Sequence, residues 1–173
     1  NEVDGTTPTS NAPLRGGKGM LYEGGVRVCA FATWDGHIPA GKRIEAPLHI
    51  VDWFPTLARL AGGSLAPEKQ KLPLDGRDLW PTLTAGQPSP HEEILLNTAP
   101  ASGAIRVGDW KLKLARAARR GGEQIELFNL AEDIGETRNL AELHPDKVKD
   151  LRARYDRWAN QAARRIPRDA STY

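Results

Sequence analysis

Ala104-Ile105-Arg106-Val107-Gly108-Asp109-Trp110-Lys111-Leu112-Lys113-Leu114 reads as two strands, Ala104 to Val107 and Trp110 to Leu114, joined by a two-residue turn. Gly108-Asp109 puts glycine first, an order that tight hairpin turns accept. Side chains alternate across a strand, so Trp110, Leu112 and Leu114 share one face while Lys111 and Lys113 share the other. An apolar sheet face needs cover, and the end of the chain offers it. Val148, Leu151, Tyr155, Trp158 and Ala162 recur at three- and four-residue steps, forming one helical stripe. Pro145 suits the first turn of that helix and Asp146 the positive end of its dipole. With further strands predicted over Ile94 to Leu96 and Gln124 to Phe128, the reading is α+β: a small antiparallel sheet packed on a C-terminal helix.

Upstream, Gly86-Gln87-Pro88-Ser89-Pro90 reads as a linker, which divides the chain into residues 1–86 and 87–173. Before it, Val51, Phe54, Leu57 and Leu60 predict a short helix that stops at Gly62-Gly63. Asp52 is an alternative cap for a later start, because Pro55 is tolerated only in a first turn. Asp78 to Leu83 adds a brief helical turn. Tyr22 to Trp34 contains a predicted strand ending at the Asp35-Gly36 turn, with Cys29 inside it as a small buried hydrophobe.

Composition sets bounds on function. The chain has 173 residues, 39% hydrophobic and 27% charged, and a net charge of +2 that gives no general argument for nucleic acid or membrane. No apolar run approaches the ~20 residues of a membrane span. Arg116, Arg119 and Arg120, with Arg164, Arg165 and Arg168, lack the interleaved aromatic platform of a nucleic-acid binder; they read as solvated surface, and sulfated polysaccharide is equally suited to them. A single cysteine excludes an internal disulfide. His37, His49, His91 and His144 show no metal-binding spacing and read as surface or structural residues. Asp75-Gly76-Arg77-Asp78 lacks the regular ligands and terminal glutamate of a calcium loop and reads as a turn and helix cap. The start at Asn1, with Met20 the only methionine, reads as a fragment of a longer chain.

Asn11-Ala12-Pro13-Leu14-Arg15-Gly16-Gly17-Lys18, followed by Glu23-Gly24-Gly25-Val26-Arg27, carries the most chemistry. It sets a lysine in a glycine-bracketed turn, where backbone can approach an anion closely and an ammonium can meet it. An ordinary tight turn uses the same residues, so the chemistry alone leaves both readings open.

The order of residues is more specific. These segments resemble the Pro-Leu-Arg-Gly-x-Lys and Glu-Gly-Gly-x-Arg run of formylglycine-dependent sulfatases, especially the arylsulfatase B type. Five later stretches resemble successive landmarks of that family in its order: His49 to Leu57, Ala61-Gly62, Leu74-Asp75-Gly76, Ala104 to Leu112, and Leu127-Phe128-Asn129-Leu130 through Glu136-Thr137-Arg138-Asn139-Leu140. The resemblance implies the end of an alkaline-phosphatase-like α/β domain over 1–86 and a small C-terminal subdomain over 87–173.

It also implies hydrolysis of a sulfate ester, aryl or glycan, by a hydrated formylglycine that attacks sulfur while calcium polarises the sulfate oxygens. Lys18 corresponds to the family's sulfate-contacting lysine. Asn1 corresponds to a calcium ligand, although Glu2-Val3 follows where Gly-Gly is usual. Arg15 and Glu23 are expected to shape the loop. Cys29 is not the modified cysteine, since Ala30-Phe31-Ala32-Thr33 follows instead of the Cys-x-Pro-Ser-Arg pattern. The nucleophile is therefore expected in a preceding part of the enzyme, and the segment alone is expected to be inactive. Leu96 stands where the arylsulfatase B type has a substrate-facing histidine, so specificity for N-acetylgalactosamine 4-sulfate is not implied. A periplasmic, secreted or lysosome-like compartment follows from the resemblance alone. The alternatives are a related phosphatase or phosphonate hydrolase and a non-catalytic module binding sulfated glycan or a partner.

Overall fold

The chain reverses at Gly108-Asp109 in a computed structural model that describes residues 10–66, 71–99, 102–116 and 122–161. Gly108 takes φ 56°, and Val107 pairs with Trp110 to close the hairpin. Four strands, β1 (Glu93–Ala99), β2 (Ser102–Val107), β3 (Trp110–Arg116) and β4 (Glu123–Asn129), form one sheet in the order β1-β2-β3-β4. β3 pairs antiparallel with both β2 and β4.

The chain comprises two compact units, residues 1–27 with 95–173, and residues 28–94. In the first, helix α4 (Pro145–Gln161) covers the predicted face of the sheet. Leu151 and Tyr155 pack with Ile105, Leu112, Leu114, Leu127 and Leu140, while Val148, Trp158 and Trp110 flank this core. Leu151 is wholly buried, worth about 1.5–3 kcal/mol relative to exposure. Gly103 lets the Tyr155 ring approach the sheet, since a Cβ there would lie 2.0 Å from its hydroxyl oxygen and the ring would have to shift.

At the edge of the sheet, β4 finds partners for its outward backbone groups. The Asn139 amide accepts from Leu127 N at 2.9 Å and donates to Ile125 O at 3.0 Å. The turn leading to Asn139 is held by Asp133, whose carboxylate accepts from the backbone N–H groups of Arg138 and Thr137. Those bonds, Arg138's first, keep the Asp133 carboxyl below its usual range.

The second unit contains a 3-10 turn (Ile50–Asp52), α2 (Trp53–Leu60) and α3 (Trp80–Ala85). Both predicted helices form, and Asp78 accepts from Trp80 N at 3.0 Å in the expected capping turn. α2 leaves most of its apolar stripe uncovered by the described residues. Val51, Phe54 and Leu57 are exposed, whereas Asp52, Pro55 and Thr56 are buried. Hydrogen bonding decides this: Asp52 Oδ1 accepts from Arg77 N and His91 Nε2, and its Oδ2 accepts from His49 N. Thr56 donates to Asp52 O and accepts from Leu79 N. A buried carboxylate needs such partners, and they orient the helix.

The strand expected between Tyr22 and Trp34 does not form. Glu23–Val26 makes a single helical turn, α1, and residues 27–34 have no regular structure. Among the described residues no strand pairs with them, so their backbone has no ladder partner. Cys29 is accordingly exposed, not buried.

Candidate functional site

Lys18 occupies the tip of a turn whose backbone is fixed from three directions. Met20 N donates to Gly17 O at 2.9 Å, closing a four-residue turn with Lys18 and Gly19 at its centre. Gly19 has φ 87°, the left-handed conformation that glycine adopts without strain. The Asn11 side-chain amide donates to both Gly16 O and Gly24 O at 3.1 Å, tying the turn to the second glycine segment. Gly24 N donates to Arg15 O at 2.8 Å.

The glycine pair after Glu23 is explained by this approach. A Cβ on Gly24 would stand 2.3 Å from Gly16 O, and one on Gly25 would stand 2.1 Å from Met20 O. No L side chain fits at either place. The backbone of α1 is thus the floor on which the lysine turn rests.

Below it lies the second face of the sheet, and this face is charged and buried. Lys111 is wholly inaccessible and lies 2.9 Å from Glu23 Oε1 and 2.8 Å from Glu136 Oε1. The second of these is an ion pair without an aligned hydrogen bond. Glu136 Oε2 accepts from Glu23 N at 2.5 Å, and Glu136 O accepts from Arg15 at 2.9 Å. Arg27 and Arg106 lie 3.9 Å and 4.0 Å from Glu23 Oε2.

A neighbouring cluster repeats the pattern. Lys113 Nζ lies 2.6 Å from Glu126 Oε2, and the Tyr22 hydroxyl donates to the same carboxylate. The guanidinium of Arg15 lies 3.9 Å from the centre of the Tyr22 ring. Burial opposes the charge on Glu126, but bonds from Lys113 and Tyr22, with the charge of Arg15, hold its carboxyl below the usual range. Burial likewise opposes the Lys113 ammonium, and Glu126 outweighs it, raising its pKa.

Lys18 differs from both of these lysines. It is exposed and has no carboxylate partner among the described residues. Its ammonium sits on a hydrogen-bonded turn over a neutralised, buried layer. Arg15 and Glu23 support the loop as expected, though through Glu126, Glu136 and Lys111 and not through each other.

The remaining candidates separate clearly. Asn1 lies outside the described residues, as do Arg119, Arg120, Arg164, Arg165 and Arg168. The histidines hold structure: His49 accepts from Val51 N, His91 pairs with Asp52, His37 stacks on Trp34 and His144 meets Trp110 edge-on. Among the described residues no group of three or more His, Cys, Asp or Glu is placed to hold a metal ion. Sequence reading overlooked Lys111, Lys113, Glu126 and Glu136 as parts of this site. The alternation that set the two lysines opposite the apolar face was visible; the carboxylates that bury them were not.

No protein-family model matches the chain. Curated relatives do. Arylsulfatase J of Mus musculus is 32% identical over an alignment of 210 residues, covering 92% of this chain and 34% of the relative. A sulfatase of Formosa agariphila is 32% identical, covering 81% and 27%, and human arylsulfatase A is 34% identical, covering 73% and 28%. Among solved structures, Ps i-CgsB superimposes with a TM-score of 0.68 at 29% identity, over 87% of this chain and 32% of that one. The chain thus spans between 27% and 34% of the length of these proteins.

Proposed function

Since the chain belongs to the sulfatase family, we propose that it completes the active site of a longer sulfuric ester hydrolase and that Lys18 contacts the sulfate group of the substrate. The observation that carries this reading is the contrast between Lys18, exposed on a fixed turn and without a carboxylate partner among the described residues, and the buried, paired Lys111 and Lys113 beneath it. An ammonium so placed donates hydrogen bonds to sulfate oxygens and offsets the negative charge that grows on the departing oxygen. Preorganisation on a rigid turn means that little reorganisation is needed as that charge develops.

Sulfatase membership implies calcium and formylglycine use in general. The described residues do not fit either group: they hold no metal-binding cluster, and Cys29 lacks the modification motif. We assign the nucleophile and most metal ligands to the preceding part of the enzyme, with Asn1 the one calcium ligand from this segment. Exposed Val28, Phe31, Phe54 and Leu57 support burial against that preceding polypeptide. In the complete enzyme, residues 1–86 would close the catalytic domain and 87–173 would form its C-terminal subdomain. The isolated segment would not turn over.

Ps i-CgsB has been crystallised in complex with k-i-k-neocarrahexaose, which favours a glycan sulfate over a small aryl sulfate as the natural substrate. Lys18→Ala in the complete enzyme is expected to lower turnover at least about tenfold, or ~1.4 kcal/mol in the barrier. Unchanged kinetics on an aryl sulfate would remove Lys18 from the site.

A further inference from the structure

We propose that Lys111, together with Glu23 and Glu136, is a positioning device for Lys18: a buried charge triad that sets the height and orientation of the lysine turn. The proposal rests on the reading of Lys18 as the sulfate contact. It concerns residues on β3, on α1 and in the turn after β4, far apart in sequence and joined only in the fold.

The connections run without a gap. Lys111 Nζ is held between the carboxylates of Glu23 and Glu136 at 2.9 Å and 2.8 Å. Glu136 then grips both arms of the loop, accepting from Glu23 N through its side chain and from Arg15 through its main-chain carbonyl. Glu23 directly precedes Gly24 and Gly25, and these two glycines leave no free space beneath Gly16 O and Met20 O. Any shift of Glu23 is therefore passed on to the turn that bears Lys18.

Physical cost argues for the same role. Burying an ion pair removes both charges from water, and an apolar replacement of similar volume is often as stable or more so. Stability alone is thus a poor reason for three fully buried charged side chains in a domain this small. Fixing register is a better one. Glu136 adds a second sign of constraint, since it is the one described non-glycine residue at positive φ, 52°, a conformation that costs free energy and persists where its surroundings hold it.

The decisive test is a double-mutant cycle in the complete enzyme, with kcat and KM measured per folded molecule on an aryl sulfate. Lys111→Met is expected to lower kcat at least about tenfold, because a misplacement of about 1 Å in a reacting group costs on the order of 10²-fold. In the Lys18→Ala background the same change is expected to cost little more, and Lys111→Arg is expected to recover part of the loss. Full, independent losses from Lys18→Ala and Lys111→Met would overturn the positioning role while leaving the sulfate contact intact. So would a Lys111→Met enzyme that is less stable yet has unchanged kcat. A Lys18→Ala enzyme with normal kinetics would refute the sulfate contact itself. If Lys111→Met does not fold, Glu23→Gln, which keeps the side-chain shape and removes one charge, runs the same cycle with the same criteria.

Discussion

Replacing Gly25 by alanine adds one methyl group, and the structure states where that methyl goes. The new Cβ would lie 2.1 Å from Met20 O and 2.6 Å from Gly17 O, both backbone atoms of the Lys18 turn. Moving from 2.1 Å to the 3.4 Å at which ordinary contact begins requires the turn or α1 to yield by about 1.3 Å. Overpacking of this kind costs about 1–3 kcal/mol of stability. If Lys18 contacts the sulfate as proposed, the kinetic effect is expected to be of similar size: a displacement near 1 Å at such a group corresponds to a loss on the order of 10²-fold in kcat, about 2.7 kcal/mol. Gly25 is not at positive φ, so the effect reports the contact and not backbone strain. The assay is urea unfolding of the complete enzyme, alongside turnover of an aryl sulfate per folded molecule. Gly122→Ala serves as the comparison, since nothing lies within 4 Å of the Cβ it would add. If Gly25→Ala matches Gly122→Ala in both unfolding midpoint and kcat, the turn does not rest on the glycine floor and the reasoning fails.

Two further outcomes test the supporting layer. Glu126 has a folded-state pKa below its ordinary 4.5, so its contribution to stability is complete above that value and is lost as pH falls through the depressed one. Lys113, raised above 10.5, contributes fully below that value and loses its part as pH rises through the raised one. Unfolding midpoints followed downward from about pH 6 should therefore drop less steeply in Glu126→Gln than in the parent, and parallel curves would contradict the pairing. In the core, Leu151→Ala removes a wholly buried side chain shared by α4 and the sheet, and is expected to cost about 2–5 kcal/mol in urea denaturation. A cost within the range of a surface substitution would mean that α4 does not pack as described.

Residue order alone makes legible the elements whose causes are local. The Gly108-Asp109 turn, the alternation along Trp110 to Leu114 and the stripe from Val148 to Trp158 each depend on residues a few positions apart, and each forms as read. It also singled out Lys18, because the glycines that bracket it are adjacent in the chain. Tertiary structure alone decided the rest. Whether Lys111 faces water or a carboxylate depends on Glu23, 88 residues away, and the hold on Glu23 depends on Glu136, 113 residues away. The same holds for α2, whose setting depends on the buried Asp52 meeting Arg77 and His91, 25 and 39 residues away. Periodicity records which side chains share a face. Which face is covered depends on partners that charge and hydrogen bonding select across the fold, as where Glu23 and Glu136 bury Lys111 while Lys18 stays exposed.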